Sequence, residues 1–427
     1  MIWIVSILLL FAMLLASIPV ASTMASMAFI LNAIFSPMPL YRAIGEISWG
    51  VATNEALFAI PLFILLGQLL VISGIAETTY RAVNKWVSWL PGGLMHANIV
   101  SCALFAATSG SSVATAATLG TIGLPEARRF GYDEGLFSAT IAAGGTLGIL
   151  IPPSINMIVY GFLTNTSIPK LFIAGIIPGI FLSSLFMATI LIICLVRPNL
   201  GAAYQSASWA ERIVSLKDLI PIALVFGVVM GSIYAGFATP TESAALGVLI
   251  AVALIIYKRK ISWRALIEST EGTLRTTGMI MLILFAAYFL NFIFISMGLT
   301  NQIADFIEAS GLTPFQTLYA LILMYIVMGF FIETLSMMVL TVPVVHPILV
   351  RLGFDSIWFG IILILLIEMA LITPPVGLNL YVVQGLRKNG RIKDILVWVA
   401  PFATAIFVMI MILVWFPDLA LFLPRKF

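Results

Sequence analysis

Apolar residues fill most of the chain in long stretches that short polar or proline-rich segments interrupt. About nine of these stretches are long enough to cross a hydrocarbon core of about 30 Å as helices. They cover residues 1–31, 51–75, 133–164, 171–196, 218–237, 243–257, 276–297, 355–386 and 394–416. Two further apolar regions, 94–125 and 313–350, divide into arms of about 15 residues, which at about 1.5 Å per residue are too short to cross singly. The pattern therefore predicts two re-entrant hairpins among the crossings.

Two of the predicted crossings contain a proline pair, Pro152-Pro153 in one and Pro374-Pro375 in the other. Proline removes a backbone donor and bars a continuous helix, so backbone carbonyls are left free at these positions. A bilayer tolerates such backbone only where it is buried in protein or lines a polar cavity. We therefore predict two broken helices beside an ion or substrate site; a simple kink between packed helices is the alternative.

These features occur twice along the chain, at a constant offset of 222 residues. Pro125, Arg129, Gly131, Asp133, Pro152 and Pro153 align without a gap on Pro347, Arg351, Gly353, Asp355, Pro374 and Pro375. We predict an N-terminal span and interfacial arm at 1–50, a first repeat at 51–205 with hairpin 94–125 and broken helix 133–164, and a second repeat at 206–427 with hairpin 313–350 and broken helix 355–386. The odd number of crossings between the hairpins makes the repeats inverted, which is typical of secondary transporters.

The distribution of Lys and Arg predicts how the chain is oriented. If both hairpins re-enter, the side that holds the N-terminus carries 16 of these residues and the other side carries 5, which places the first side in the cytoplasm. No Lys or Arg precedes the first apolar run, so residues 1–31 are interpreted as a retained span and not as a cleaved signal. Residues 36–50 are interpreted as an interfacial arm.

Composition narrows the class of protein. Hydrophobic residues make up 62% and charged residues 9% of 427 positions, which predicts a polytopic membrane protein without a soluble catalytic domain. Cys102 and Cys194 lie in apolar segments and His96 and His346 are isolated, so we expect structural roles and no transition-metal site. The net charge of +3 gives no indication of nucleic-acid binding. The chain contains no GxxxxGK[ST] loop, which argues against ATP as its energy source.

Polar residues that could carry chemistry gather at the hairpin tips and the helix breaks. In the first repeat they are Ser109, Gly110, Ser111 and Ser112 at the tip, and Gly145, Gly148, Pro152, Ser154 and Asn156 around the break. In the second they are Glu333, Thr334 and Ser336 at the tip, and Thr373, Pro374, Val376, Gly377 and Asn379 at the break. Hydroxyl and free carbonyl oxygens suit a sodium ion, and helix N-termini that follow a break favour an anion.

We predict that most of these residues bind sodium, one ion in each pair of tip and break, with the substrate between the ions. Substrate binding is predicted for Ser154, Asn156, Val376 and Asn379. The alternatives are that Ser and Gly only ease helix packing, and that Glu333, a functional candidate as an acid at membrane depth, is simply solvated near the interface. Glu368 precedes the second break, and Glu242 is interpreted as a helix cap.

At these residues the chain resembles the large membrane subunit of the tripartite ATP-independent periplasmic (TRAP) transporters, the DctM-like family. The resemblance is carried by residues 109–115, Ile151-Pro152-Pro153-Ser154, residues 170–179, residues 239–243 and residues 372–377. It implies an elevator-type carrier of the bacterial inner membrane that uses a sodium gradient to import an organic acid, such as a C4-dicarboxylate or sialic acid. It also implies a small four-helix membrane subunit and a periplasmic binding protein as partners, and no cofactor beyond sodium.

The predicted fold class is an all-α polytopic membrane protein with inverted repeats, two re-entrant hairpins and two broken helices. Two other functions remain open at this point. The first is a stand-alone sodium/anion symporter of the same superfamily, which would need no partners. The second is an intramembrane enzyme or a structural membrane subunit, for which the separated histidines and scattered acids offer little support.

Overall fold

The computed structural model describes residues 2–201, 207–388 and 390–426, without the side chains of residues 3, 14, 107, 108 and 308. The described part is built from α-helices. They are α1 Ile2–Leu15, α2 Val20–Phe35, α3 Ile44–Ala52, α4 Ala59–Ser73, α5 Ile75–Val87, α6 Leu94–Ser109, α7 Ser112–Phe130, α8 Glu134–Leu150, α9 Ile155–Thr164, α10 Ile168–Val196, α11 Trp209–Ser215, α12 Ile220–Tyr234, α13 Pro240–Tyr257, α14 Trp263–Ser296, α15 Leu299–Ala309, α16 Pro314–Gly329, α17 Thr334–Arg351, α18 Ser356–Ile372, α19 Leu378–Leu386, α20 Ile392–Trp415 and α21 Asp418–Leu421. The all-α prediction is confirmed.

Seven helical segments of the described residues are long and apolar enough to cross a membrane, or eight if the bent pair at 209–234 counts as one span. This set differs from the nine predicted crossings, because it includes Thr334–Arg351 of the second predicted hairpin and leaves out the predicted broken crossing 355–386, whose first helix has 17 residues. The run 1–31 is not one span but the helices α1 and α2, because the chain turns at Ser17, where φ is 58°, and Pro19 starts a new helix. A search for long apolar runs does not detect such a break, although Pro19 indicates one.

Helix α14 is longer than predicted at its N-terminal end. It begins at Trp263, whereas hydropathy placed the start near residue 276. The extra turns carry the exposed ion pairs Arg264–Glu268 and Arg275–Glu271, each spaced i,i+4. Such pairs support a helix at low hydropathy, so a search for apolar runs misses it. These turns extend α14 beyond its membrane-crossing part on the side of the basic segment 258–260.

The 222-residue repeat of the sequence is a repeat of structure. Helices α8 and α18 each have 17 residues, and their residue numbers differ by 222. Asp133 accepts a hydrogen bond from the Leu136 amide and so caps α8, and Asp355 caps α18 in the same way. Gly131 and Gly353, which precede these caps, have φ of 73° and 87°, a conformation that favours glycine. The repeated Gly and Asp residues therefore start the two central helices.

The two hairpins open at opposite ends of the molecule. At the open end of the first hairpin, the Asp133 amide donates to the Leu200 carbonyl at 3.3 Å. Helices α8 and α9 run from there toward the other end, where Tyr160 in the second half of α9 donates to the Ser356 carbonyl at 2.6 Å. Ser356 begins α18, directly after the second hairpin. The hairpins therefore enter from opposite sides, as the inverted repeat predicts.

The half-helices after the breaks are exchanged between the repeats. Helix α9 packs on α17 of the second hairpin, where the rings of Tyr160 and His346 lie edge to face at 6.3 Å. Helix α19 packs on α7 of the first hairpin, and Leu386 fills the space beside Gly120. Each hairpin is thus covered by the broken helix of the other repeat. The boundary predicted at residue 205 lies outside the described residues, and the three-part division of the chain stays a prediction.

Candidate substrate and ion site

The two hairpin tips and the two breaks meet at one cavity of about 570 Å³. Residues 109–114 of the first tip and 333–335 of the second tip line it, together with Ile155 and Asn156 after the first break and Leu371 and Leu378 on either side of the second. Helices α4 and α14 complete the wall. Elements far apart in sequence are therefore brought together at one place, which has the size of a small-molecule site.

Four helices begin at this cavity. Ser112, Ile155, Thr334 and Leu378 are the first residues of α7, α9, α17 and α19, and all four line the cavity. A helix N-terminus presents unpaired amide donors and a partial positive charge. Among the described residues that line the cavity, Glu333 alone carries a formal charge. An anion in this cavity would therefore be held by helix ends, by bound cations, or by both, since the lining provides no Lys or Arg.

The first tip is held by hydroxyl groups. Ser111 caps α7, and its hydroxyl accepts a hydrogen bond from the Ala114 amide at 3.4 Å. The Thr115 hydroxyl donates to the Ser111 carbonyl at 2.7 Å and lies 2.8 Å from the Ser109 hydroxyl. Gly110 between the helices has φ of 61°. The tip is therefore a compact group of neutral oxygens; the side chain of Thr108 lies outside the described residues.

Glycines let the backbone of neighbouring helices approach this tip. A Cβ added to Gly148 of α8 would lie 3.0 Å from the Ser111 carbonyl oxygen, and one added to Gly67 of α4 would lie 3.1 Å from the Ser109 carbonyl oxygen. A Cβ at Gly110 would lie 3.1 Å from the Pro153 carbonyl oxygen. The tip and the first break are thus in backbone contact, and the small residues there are required for the approach.

The second tip is held by a carboxylate. Glu333 caps α17 and accepts hydrogen bonds from the amides of Leu335 and Ser336 at 3.0 and 2.9 Å. The hydroxyls of Thr334 and Ser336 also donate to it, at 3.0 and 2.9 Å. These four donors explain how an acid is accommodated here. Glu333 is therefore a structural cap of the tip as well as a lining residue of the cavity.

Asn379 joins the second repeat to the first tip. Its Nδ2 donates to the Ser112 hydroxyl at 2.7 Å and to the Ala142 carbonyl of α8 at 3.0 Å. The side chain is completely buried, and its Oδ1 has no hydrogen-bond partner among the described residues. Asn379 does not line the cavity. The prediction paired this residue with the second tip, whereas the structure places it behind the first.

Asn156 occupies the equivalent place in the first repeat, because it is the second residue of α9 as Asn379 is of α19. It lines the cavity, and it makes no side-chain hydrogen bond to another described residue.

The second break also differs from the first. Pro374 and Pro375 are exposed, whereas Pro152 and Pro153 are buried. The two half-sites are therefore unequal in this structure.

The other predicted residues fall into two groups. Gly145, Gly148, Pro152, Ser154 and Ser336 lie directly behind the lining and are buried. Thr373, Pro374, Val376 and Gly377 form the second break itself, outside the lining of the cavity. The sequence analysis missed Gln68 of α4 and Thr276 of α14, two polar residues of the wall. Single polar residues in apolar spans were the signal that could have found them.

The remaining titratable residues considered in the sequence analysis lie outside the cavity lining. Glu242 caps α13 through a reciprocal pair of hydrogen bonds with Thr239, as predicted. His96 Nε2 lies 2.8 Å from the Pro91 carbonyl oxygen, and His346 Nε2 lies 2.8 Å from the Ser356 hydroxyl. The described residues contain no group of three or more His, Cys, Asp or Glu that could hold a metal ion. Glu368 of α18 is completely buried, and neither carboxyl oxygen has a hydrogen-bond partner among the described residues.

Two inverted repeats, each with a hairpin and a broken helix, surround a cavity at their meeting point, which is the architecture of a secondary transporter. The DctM component of tripartite ATP-independent periplasmic transporters matches residues 7–419. The chain belongs to this family, and the resemblance found in the sequence is confirmed. The enzyme alternative is set aside, because the relatives below are named as transporter permeases.

Relatives of known name support the family over most of the chain. The chain is similar to the C4-dicarboxylate TRAP transporter large permease protein of Pseudomonas aeruginosa, with 34% identity over 92% of this chain and 91% of the relative. It is similar to the sialic acid TRAP transporter large permease protein of Vibrio cholerae, with 31% identity over 88% of both. The YdaH transporter of Alcanivorax borkumensis has a similar fold, with a TM-score of 0.60 and 15% identity over 93% of this chain and 97% of that one.

Proposed function

We propose that this chain is the large membrane subunit of a sodium-coupled transporter that imports an organic acid across the bacterial inner membrane. The observation that carries this proposal is the cavity at which the four helices α7, α9, α17 and α19 begin. Their N-termini suit the carboxylate of an acid, because the N-terminal end of a helix carries a partial positive charge. The absence of Lys and Arg from its described lining makes bound cations a natural second source of positive charge.

Sodium ions fit the polar groups next to the cavity. The first tip offers the hydroxyls of Ser109, Ser111 and Ser112, and the Pro153 carbonyl of the first break lies beside Gly110. The second tip offers Thr334 and the carboxylate of Glu333. Hydroxyl, carbonyl and carboxylate oxygens are the usual ligands of hard cations. We assign one sodium to each tip, with the acid between them, so that each ligand stabilises the binding of the other.

Transport follows from alternating access of the cavity. In the proposed mechanism the two hairpins and the two broken helices move together as an elevator past a wall formed by α4 and α14. The exchange of α9 and α19 between the repeats supports movement as one body, because each half-helix packs on the other repeat's hairpin. Sodium and the acid would screen each other during the passage, which lowers the cost of moving charge through a low-dielectric region.

The proposed partners are a small four-helix membrane subunit and a periplasmic protein that binds the acid and delivers it. The relatives from Pseudomonas aeruginosa and Vibrio cholerae are named for C4-dicarboxylates and for sialic acid. We propose an acid of one of these two classes as the substrate. Copurification of a small membrane subunit with this chain would support the three-part transporter, whereas full uptake by the chain alone would favour the stand-alone symporter.

Uptake into vesicles tests the coupling. Vesicles that contain the two membrane subunits are supplied with the binding protein and with radiolabelled succinate or N-acetylneuraminate. We expect accumulation that requires an inward sodium gradient and that stops when potassium replaces sodium. Equal accumulation without sodium would contradict the proposal.

A substitution in α8, behind the first tip, tests the site. Gly145→Leu places a side chain where even a Cβ would lie 2.8 Å from the Ala116 Cβ, and it should abolish uptake by displacing α7. Gly227→Leu on α12 is the matched control, because a Cβ there would meet no atom within 4 Å. Unchanged uptake by a folded Gly145→Leu variant would remove the first ion site from the mechanism.

A further inference from the structure

The wall of the cavity carries two polar side chains from outside the hairpins and the broken helices. Gln68 of α4 and Thr276 of α14 both line the cavity. Both are half-buried, and neither makes a side-chain hydrogen bond to another described residue. The amide of Gln68 lies over Gly272 of α14, where an added Cβ would be 3.5 Å from Nε2. The hydrogen-bonding groups of both residues are therefore free for a ligand.

This part of the wall lies in the half of the molecule near the basic face. Gln68 is in the last two turns of α4, which ends at Ser73. Gly74, the next residue, lies against the side chain of Lys260. The other end of this span is on the opposite side, where the Thr241 hydroxyl donates to the Glu55 carbonyl at 3.1 Å. Because basic residues face the cytoplasm, the cavity meets Gln68 and Thr276 in its cytoplasmic position.

The chemistry of the two side chains defines what they can recognise. Gln68 offers two donors and one acceptor, and the Thr276 hydroxyl offers one donor and an acceptor. The remaining wall residues of α4 and α14 are apolar, among them Ile64, Val71 and Met279. A hydroxyl, amide or carboxylate oxygen at the end of the acid remote from the tips would pair with these two groups. An acid that ends in hydrocarbon would leave them unpaired, at a cost in affinity.

We infer that Gln68 and Thr276 are specificity-determining contacts of the substrate, which the wall supplies only while the cavity is in its cytoplasmic position. The inference rests on the proposed function. Because α4 and α14 do not belong to the hairpins or the broken helices, their contacts are lost when those elements move toward the other face. The wall therefore contacts the acid in the cytoplasmic position, from which the acid is released.

Direct binding to the membrane subunits tests this inference without the binding protein. The purified membrane subunits are equilibrated in NaCl with radiolabelled succinate and with radiolabelled N-acetylneuraminate, and the Kd of the retained acid is measured. Gln68→Leu and Thr276→Val should each raise this Kd about threefold to tenfold, the effect of one lost hydrogen bond. Thr276→Ser keeps the hydroxyl and should restore the Kd of the unsubstituted protein.

Matched controls lie on or beside the same helices. Thr273→Val is one turn from Thr276 and changes a hydroxyl that donates to the Ser269 carbonyl, away from the cavity. Gln302→Leu changes an exposed glutamine of α15. Both should leave the Kd unchanged. Unchanged Kd values for Gln68→Leu and Thr276→Val would overturn the inference alone. Failure of the unsubstituted subunits to bind either acid would overturn the proposed function and the inference with it.

Cysteine labelling gives a second measurement if a variant is unstable. Gln68→Cys and Thr276→Cys should react with a small water-soluble thiol reagent, and NaCl together with the retained acid should slow the reaction at least severalfold. The background is low, because Cys102 and Cys194 are buried. A reaction rate that the acid does not change would contradict contact between the acid and this wall.

Discussion

The two half-sites are built from equivalent helices but are completed differently. At the first, the Asn379 amide binds Ser112 and the Ala142 carbonyl, and the break behind the tip is buried. The second break is exposed, and Asn156, which follows the first break as Asn379 follows the second, makes no side-chain hydrogen bond to another described residue. The comparison indicates that the first half-site is held together by the protein itself. The Asn156 side chain, which lines the cavity, is left for a ligand.

The largest expected effect separates the two asparagines. Asn379→Ala removes two buried hydrogen bonds and should lower the free energy of unfolding by about 2–3 kcal/mol. Asn156→Ala, the matched change, should lower it by less than about 1 kcal/mol and should instead weaken binding of the acid. Reversible denaturation in mixed micelles measures the first quantity, and equilibrium binding measures the second. Equal losses of stability would mean that the two asparagines contribute equally to the fold in solution.

The caps of the two tips provide the next comparison. Glu333→Gln replaces two acceptor oxygens by one and confronts an amide NH₂ with donors, so we expect a loss of about 1–2 kcal/mol in unfolding free energy. Ser111→Ala at the first tip should cost less than about 1 kcal/mol, because the hydrogen bond from Ala114 is long. The same denaturation experiment compares them. A larger loss for Ser111→Ala would reverse the assignment of the stronger cap.

Close packing at the first tip predicts a smaller effect, on affinity. Gly148→Ala would bring a methyl group to 3.0 Å from the Ser111 carbonyl and displace the tip by a few tenths of an ångström. We expect about a fivefold loss in binding of the acid in NaCl. Ala370 has the equivalent place in α18 and packs on Gly329, so Ala370→Gly is the matched control and should leave the affinity unchanged. Equal effects would argue against a special approach at the first tip.

The smallest effect is expected at Glu368. A buried carboxylate without a partner would cost several kcal/mol, so the group is expected to be in its neutral form, which glutamine resembles in shape. Glu368→Gln should therefore change the unfolding free energy by less than about 0.5 kcal/mol. A strong loss of sodium-driven uptake in a stable Glu368→Gln variant would show that this acid takes part in transport.

The sequence predicted the features that depend on local chemistry. Gly131 and Asp133, with their counterparts in the second repeat, mark the starts of the central helices because turns and caps require these residue types. The breaks follow from paired prolines in the same way. The split at Ser17 was missed because one proline at the end of a short helix resembles a kink in a longer one.

The contacts that close the site were beyond such reasoning. Asn379 and Ser112 are 267 residues apart, and their hydrogen bond follows from the exchange of half-helices. Local pattern predicted that each residue would be near a tip, but it paired Asn379 with the wrong tip. A polar residue in an apolar span marks Gln68 as unusual, but its place in the cavity wall depends on how α4 packs against α14.

The exchange of α9 and α19 has a consequence for how such a molecule can come into being. Either repeat on its own would expose the surface of its hairpin that the other's half-helix covers, and would lack the amide that joins the two. The site therefore forms only after both repeats have entered the bilayer and packed against each other.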